Sequence, residues 1–596
     1  MSVPRSDAAL GDGDLQAAFA ATLVDEWVRR GVAHAVVCPG SRSTPLALAL
    51  ADHGGLAVHV RLDERSAAFT ALGVGLATGI PAVLVTTSGT AASELHAAVV
   101  EADLARVPMV VCTADRPPEL RGVGAPQTID QHRLYGTATR WFADPGVADD
   151  GNRSTWRSLG SRAVAEAVDG PEGPGPVHLN LPFREPLLGV PGPGQVPPGR
   201  PERAPWHRVE PIGSVGPDGL ADELASAATS GVRGLMVVGA GGGDPSAVMA
   251  LADSLGWPVL ADPRSGLRDG TGRVVAAADG LLRSEAFAAG HRPEFILRLG
   301  GPWVSKVVTT FLASASGWGA ETVGVDPWWR WVDPDRSTGR VVRADPSSWC
   351  RAVADRIGAG AAPGTAWRHQ WAAAEEAAQS AIDRALEDGT GGWSEPALAR
   401  RLVAALPDES DLVVSSSMPI RDVEAFGAPR MGHPRVLANR GANGIDGVVS
   451  TALGVELGTG RPTVALVGDL AFLHDVSALV RSRGSRVGGT VVVADNGGGG
   501  IFSFLPPANA LEPDSFETLF GTPQLPDVGR VAAGFGLPVV EIGTHDGPDA
   551  LTAALGDLSD HDGVTVVRVR LPGRSENVER HARINRMVTE AVEAAG

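Results

Sequence analysis

The reading turns on two stretches near the C-terminus: Thr463–Val467 running into Gly468-Asp469-Leu470, and Thr490–Ala494 running into Asp495-Asn496-Gly497-Gly498-Gly499-Gly500. Each apolar run has the length of a buried strand, and each ends in residues that break or cap structure. If both runs are parallel strands of one sheet, Asp469 and Asn496, 27 residues apart, emerge at the same carboxyl edge. That edge is where open α/β sheets bind ligands. A carboxylate, a side-chain amide and a backbone carbonyl such as that of Gly498 suit a hard octahedral cation, Mg²⁺ or Mn²⁺. Such an ion takes its remaining ligands from phosphate and water. Taken singly, each stretch is also an ordinary βα turn; at this spacing they argue together.

A chain of 596 residues is too long for one hydrophobic core and suggests about three domains. With 43% hydrophobic and 20% charged residues it has the composition of a globular protein. No apolar stretch approaches the roughly 20 residues that span a bilayer. Met1–Gly13 lacks the basic flank and apolar core of a signal peptide, so a cytoplasmic location without membrane insertion is expected. Cys38, Cys112 and Cys350 are scattered, which argues against a disulfide framework or a zinc site. A net charge of −18 excludes the basic stripe that a nucleic-acid partner requires. Lys306 is the only lysine; the positive charge is otherwise arginine.

Apolar β-like runs alternate with Ala-rich helical patterns three times over. The first segment, to about residue 190, has runs at Ala33–Val37, Ala57–Val60, Ala82–Thr86, Val107–Cys112 and Val177–Leu181. A Pro/Gly-rich linker over 191–211 follows. The second segment, 212–360, has runs at Gly234–Val238, Pro258–Ala261, Phe295–Leu299 and Thr322–Val325. Its Gly239-Ala240-Gly241-Gly242-Gly243 turn is by itself weak evidence for a nucleotide. A helical segment, 361–393, leads to the third, 394–596, with runs at Leu412–Val414, Thr463–Val467, Thr490–Ala494, Val539–Ile542 and Val564–Val569. The expected fold class is α/β, with three successive doubly wound parallel-sheet domains.

The metal–phosphate spacing resembles the signature of thiamine-diphosphate (ThDP) enzymes, several of which have this order: a pyrimidine-binding domain, a central domain and a diphosphate-binding domain. The cofactor needs an anchored diphosphate, a carboxyl group beside its aminopyrimidine, and a shielded pocket for deprotonation of its thiazolium C2. Ser415 and Ser416 follow a strand and could donate to phosphate oxygens, as helix N-terminal amides would. Glu64, in Arg61-Leu62-Asp63-Glu64-Arg65, opens a helix after a strand; an apolar setting would raise its pKa and let it exchange a proton with the ring. Ser88-Gly89 ends another strand, where glycine lets the backbone approach closely. Arg42, Arg116, Arg421 and Arg440 each sit in a loop beyond a strand, and four guanidinium groups near one cleft suit substrates with several carboxylates.

Ser41-Arg42-Ser43-Thr44-Pro45-Leu46, Leu62-Asp63-Glu64-Arg65, Thr113-Ala114-Asp115-Arg116-Pro117-Pro118 and Asn439-Arg440-Gly441-Ala442-Asn443-Gly444-Ile445-Asp446-Gly447 resemble one ThDP family. Gly468-Asp469-Leu470 and Asn496-Gly497-Gly498-Gly499-Gly500-Ile501-Phe502 do as well. It is 2-succinyl-5-enolpyruvyl-6-hydroxy-3-cyclohexene-1-carboxylate (SEPHCHC) synthase, of menaquinone biosynthesis. Leu470 and the Asp495-Asn496 pair depart from the general ThDP pattern in that family's manner. The resemblance implies decarboxylation of 2-oxoglutarate and 1,4-addition of the resulting succinyl carbanion equivalent to isochorismate. It also implies roles: Glu64 as the aminopyrimidine partner, Gln127 as the polar group facing the reacting carbon, and Ser88, Gly89, Ser415, Ser416, Ser417, Gly444, Ile445, Gly468, Asp469, Leu470 and Asn496 as cofactor contacts. Asp469, Asn496 and Gly498 would hold the metal. Arg42, Arg116, Gln127, Lys306, Ser417, Arg421 and Arg440 would read carboxylates and hydroxyls, with Ile501 and Phe502 as apolar walls. Lys306 is followed here by apolar Val307, where some members carry a second basic residue. The family pattern implies a homodimer or tetramer whose active sites lie between subunits. The alternatives are another ThDP-dependent 2-oxoacid decarboxylase or synthase, which needs fewer carboxylate readers, and a catalytically silent relative.

Overall fold

The computed structural model describes residues 12–192, 194–209, 219–358, 366–387, 392–480, 487–556 and 563–595. Parts of the expected linker (193, 210–211), of the central segment (212–218, 359–360) and of the connecting segment (361–365, 388–391) lie outside the described residues.

Three parallel sheets are present. The first contains β1 (His34–Val37), β2 (Ala57–Val60), β3 (Ala82–Thr86), β4 (Met109–Asp115), β5 (Trp141–Ala143) and β6 (Pro176–Pro182), in the order β2-β1-β3-β4-β6-β5. The second contains β7 (Gly234–Val238), β8 (Val259–Ala261), β9 (Phe295–Leu299), β10 (Glu321–Val325) and β11 (Arg340–Val342), in the order β11-β10-β9-β7-β8. The third contains β12 (Asp411–Val414), β13 (Arg435–Leu437), β14 (Thr463–Gly468), β15 (Gly489–Asp495), β16 (Val539–Ile542) and β17 (Val564–Arg570). Its order, β13-β12-β14-β15-β17-β16, repeats the winding of the first sheet.

Residues alternate between two apolar layers, as strands covered on both faces require. Val83, Val85, Val110 and Cys112 belong to one core of the first sheet, Leu84, Met109 and Val111 to the other. Met236 and Val238 face one side of the second sheet, Leu235 and Val237 the other. The expected connecting helix is observed as Ala366–Glu387; with Arg574–Ala595 it covers the second layer of that sheet through Trp371, Ala378, Ile382, Ile584 and Val588.

By contacts the chain divides into two units. One combines Met1–Pro211 with Asn439–Gly460 and His474–Gly488; the other combines Ile212–Ala438 with Arg461–Leu473 and Gly489–Gly596. No described helix is long and apolar enough to cross a membrane.

Each sheet reverses winding direction between two neighbouring strands, and loops diverge there to leave a crevice. In the first sheet this point lies between β1 and β3, in the second between β7 and β9, in the third between β12 and β14. At the second, two backbone segments approach closely. A Cβ on Gly239 would lie 1.9 Å from the Gly301 carbonyl oxygen, and Gly301 N–H donates to Ala240 O at 2.8 Å. This close approach accounts for Gly239, while Gly241 and Gly243 hold φ of +71° and +108°.

Candidate functional site

The third sheet bears out the register inferred from sequence. Gly468 of β14 stands opposite Ala494 of β15, so the two strands deliver Asp469 and Asn496 to one edge. Asp469 starts the helix Asp469–His474 and is buried. Burial, with the nearby Asp495 carboxylate, pushes its carboxyl up to about 6, against hydrogen bonds from the Leu470 and Gly498 amides. Asp495 is neutralised by Arg568 at 2.6 Å. Asn496 donates from Nδ2 to Glu395 Oε1 at 2.6 Å, and its Oδ1 is buried with no partner. Gly498 holds φ +136°, where a Cβ would meet the Gly521 carbonyl oxygen at 2.1 Å, so only glycine fits. Arg574 donates to the Gly497 carbonyl and pairs with Glu517, holding the loop from outside. Among the described residues no group of three or more His, Cys, Asp or Glu could hold a metal. The available donor set is one carboxylate, one unpartnered amide oxygen and loop carbonyls, which suits a cation that keeps water and phosphate ligands.

Across the crevice, β12 ends in buried Ser415 and Ser416. Ser415 Oγ is buried without a partner. Ser417 precedes the helix Met418–Phe426 and holds φ +74°, ψ −133°. A residue other than glycine held there stores roughly 1–3 kcal/mol of strain and persists only where surroundings impose it. Arg421 is exposed and donates to Ser417 O. Ile501 and Phe502 lie half-buried in the turn Gly500–Phe504, with Phe502 against Phe520 at 5.4 Å between ring centroids. Lys306 is exposed at the first turn of Lys306–Ser314, while Val307 packs on the core.

The other unit holds the remaining residues. Glu64 is the first residue of the helix Glu64–Thr78, capped by Asp63, which accepts from Ser66 N at 2.9 Å. Burial raises the Glu64 pKa, and the Asp63 and Glu94 carboxylates add to the rise. This is the direction a proton-sharing carboxyl requires. At the crevice of the first sheet Arg116 Nη1 donates to Ser88 Oγ at 2.5 Å, and Ser88 Oγ lies 2.9 Å from the Gln127 carbonyl oxygen. Gln127 Nε2 donates to Ser88 O at 3.1 Å, with the Gln127 backbone at φ +55°. A Cβ on Gly89 would meet Gln127 Cγ at 3.0 Å. Arg42 is buried, donating to Phe183 O at 3.0 Å and pairing with Glu185 at 3.3 Å. Its charge is close enough to join burial in lowering the pKa of Arg116. Ser88, Gly89, Arg116 and Gln127 are thus brought together, with Arg42 beside them.

The loop Asn439–Gly447 belongs to this unit too, and carries Arg440, Gly444 and Ile445. Its Gly441 and Ala442 amides donate to Glu101 at 2.6 Å each. Beyond it, Ser450 Oγ bridges Ser66 Oγ at 2.9 Å and Asp475 Oδ1 at 3.0 Å.

Four residues of these networks were not singled out from sequence: Glu101, Gln131, Glu395 and Asp475. Gln131 accepts from Gly89 N at 3.0 Å and donates to Ala114 O and Asn180 Oδ1. Glu101 had a sequence signal, an acid inside the apolar helix His96–Ala105. Glu395 had none, since acids in a first helical turn are ordinary.

Comparison with known proteins follows the same lines. Residues 17–134 match the N-terminal TPP binding domain of thiamine pyrophosphate enzymes, 219–414 the middle domain of thiamine pyrophosphate, and 425–569 the C-terminal TPP binding domain. A relative in Myxococcus xanthus is 43% identical over 96% of this chain and 97% of its own length. One in Thermobifida fusca is 44% identical over 97% and 99%, and one in Halobacterium salinarum 42% over 96% and 98%. Each of the three is named 2-succinyl-5-enolpyruvyl-6-hydroxy-3-cyclohexene-1-carboxylate synthase.

Proposed function

The chain belongs to the 2-succinyl-5-enolpyruvyl-6-hydroxy-3-cyclohexene-1-carboxylate synthase family of thiamine pyrophosphate enzymes, and from that premise we propose that it decarboxylates 2-oxoglutarate and adds the succinyl unit to isochorismate in menaquinone biosynthesis. The observation that carries this reading is the end-to-end identity with relatives of that name, 42–44% over 96–97% of the chain.

Bound ThDP supplies a nucleophilic carbon and the electron sink for loss of CO₂. In this reading Asp469, Asn496 and the Gly498 carbonyl hold Mg²⁺ or Mn²⁺, and the buried, unpartnered Asn496 Oδ1 supports it. Ser415, Ser416 and Ser417, with the Gly468 and Leu470 backbone, bind the diphosphate; the unpartnered Ser415 Oγ fits that role. Gly444 and Ile445 support the cofactor from the loop that Glu101 holds. Ser88 and Gly89 approach it, and Glu64 shares a proton with the aminopyrimidine N1′. Gln127 faces the reacting carbon. Arg42, Arg116, Arg421 and Arg440, with Ser417 and Lys306, orient the substrate carboxylates and hydroxyls, while Ile501 and Phe502 exclude water. The buried Arg42 beside Arg116 supports a carboxylate-bearing substrate, since neighbouring guanidinium groups are relieved by a bidentate carboxylate.

The proposal includes three domains, 1–190 for the pyrimidine, 212–360 central and 394–596 for the diphosphate, joined by the linker 191–211 and the helical segment 361–393. It also includes a cytoplasmic homodimer or tetramer in which Glu64 of one subunit serves the diphosphate site of another. Neither nucleic acid nor membrane insertion has a part in it.

The test follows isochorismate consumption by purified protein with ThDP, Mg²⁺ and 2-oxoglutarate, omitting each in turn. Consumption only with all three present is the expected result. CO₂ release from 2-oxoglutarate without consumption of isochorismate moves the chain to the decarboxylases. No turnover with ThDP still bound identifies a silent relative.

A further inference from the structure

The Asn496 side chain is the end of a buried chain of polar groups that begins on the C-terminal helix. His581 Nδ1 lies 2.8 Å from the Asn577 carbonyl oxygen, which can only accept, so Nδ1 carries a hydrogen. Its Nε2 lies 2.7 Å from Asp422 Oδ1. Asp422 neighbours Glu395, and Glu395 Oε1 accepts from Asn496 Nδ2 at 2.6 Å. His581, Asp422 and Glu395 are all buried, on three different helices. Arg574, seven residues before His581 and on the same helix face, holds the same loop at Gly497. The C-terminal helix therefore reaches the loop directly through Arg574 and indirectly through Asp422 and Glu395.

The last contact is the decisive one. The Glu395 oxygen in this contact, Oε1, accepts from the amide nitrogen, and an oxygen that carries no proton repels an amide oxygen at the same distance. The backbone also leaves no slack: a Cβ on Gly500 would lie 2.5 Å from Asn496 Nδ2 and 3.5 Å from Glu395 Oε1. Turning the amide over would press oxygen against oxygen at the bottom of this slot. With Nδ2 held by Glu395, Oδ1 is left buried and unpartnered.

We propose that Glu395 is a positioning residue that fixes the Asn496 amide with Oδ1 turned to the metal. The inference rests on the reading of Asn496 as a metal ligand. Glu395 does not touch the cation; it decides which end of the amide faces it. Partners behind metal ligands typically contribute about 10–100-fold in metal affinity.

The experiment is a Mn²⁺ titration of the protein with ThDP, followed by electron paramagnetic resonance of the free ion. The variants are Glu395→Ala and Glu395→Gln, and the melting temperature of each metal-free protein is recorded alongside. Glu395→Ala is expected to bind Mn²⁺ about 10–100-fold more weakly, and Glu395→Gln, whose Oε1 still accepts from Asn496, within about threefold of wild type. Should Glu395→Ala fail to fold, Glu395→Met fills the space without a strong acceptor and carries the same expectation. A purely structural Glu395 would lower the melting temperature and leave Mn²⁺ affinity at the wild-type value, which overturns the inference. Equal weakening in the Gln and Ala variants overturns it too. If wild type itself takes up no Mn²⁺ in the presence of ThDP, the metal reading falls and this inference with it. Wild-type uptake matched by the Ala variant sinks the inference alone.

Discussion

Gly73 and Gly454 face each other where the helices Glu64–Thr78 and Val448–Thr459 cross. A Cβ on Gly73 would lie 2.1 Å from the Thr451 carbonyl oxygen, and one on Gly454 2.0 Å from the Thr70 carbonyl oxygen. The obstacles are backbone atoms, which cannot swing aside. Gly73→Ala or Gly454→Ala should cost about 1–3 kcal/mol or more, the range for overpacking a core. Gly458→Ala, whose nearest obstacle is the Thr78 Cγ2 methyl at 2.9 Å, should cost less. Thermal unfolding of the three variants checks the order, and equal melting temperatures would contradict the crossing. Because Glu64 begins the first helix, the two costly variants should also lower turnover.

Glu64→Gln should leave ThDP binding in place and reduce turnover by about 10²–10⁴-fold, the usual contribution of a positioned acid–base group. The direct readout is exchange of the ThDP C2 proton with deuterium. Exchange at the wild-type rate in the variant would take Glu64 out of the proposed role.

Arg116→Ala should lower kcat/KM by an amount equivalent to about 2–5 kcal/mol, as truncating one side of a desolvated charge pair does. Arg421→Ala and Arg440→Ala carry the same expectation. Arg116→Lys should not restore it, since a lysine cannot reproduce the bidentate fork. Steady-state kinetics with each substrate varied in turn assign the carboxylate that each arginine reads; unchanged kinetics remove that arginine from the site.

Asp475 is fully buried, and burial pushes its carboxyl up to about 7 even though Ser450 donates to it from N and Oγ. With a folded pKa above the unfolded value near 3.9, the folded state binds the extra proton between about pH 4 and 7. Its contribution to stability is therefore present below that window and lost as pH rises through it. Asp475→Asn cannot ionise, so it should gain on wild type by a few kcal/mol between pH 5 and 8. Melting temperatures of both proteins across that range decide the matter, and a gap that does not change with pH would contradict it.

Strands of four or five residues that carry a compact run were legible: β2, β3, β7, β9 and β16 begin and end where the sequence places them. The missed strands β5, β11 and β13 are three residues each, at sheet edges and half-exposed, with neither run nor alternation to mark them. The candidate site was legible where chemistry sits directly beyond a strand, as at Asp469, Asn496, Ser415 and Ser88. There the local order of strand, turn and helix forces the residue to a ligand-binding edge.

By itself the sequence determined the three α/β units, the strand-end residues and the family they resemble, since these follow from local runs and short motifs. Only the tertiary structure decided what holds those residues in place. Glu395 lies 101 residues from the Asn496 it orients, and His581 lies 159 from Asp422. In sequence Glu395 is one more acid in a first helical turn. Folding removes it from water and sets it against Asn496 Nδ2 and the Asp422 side chain, and contacts across such separations leave no periodic trace along the chain.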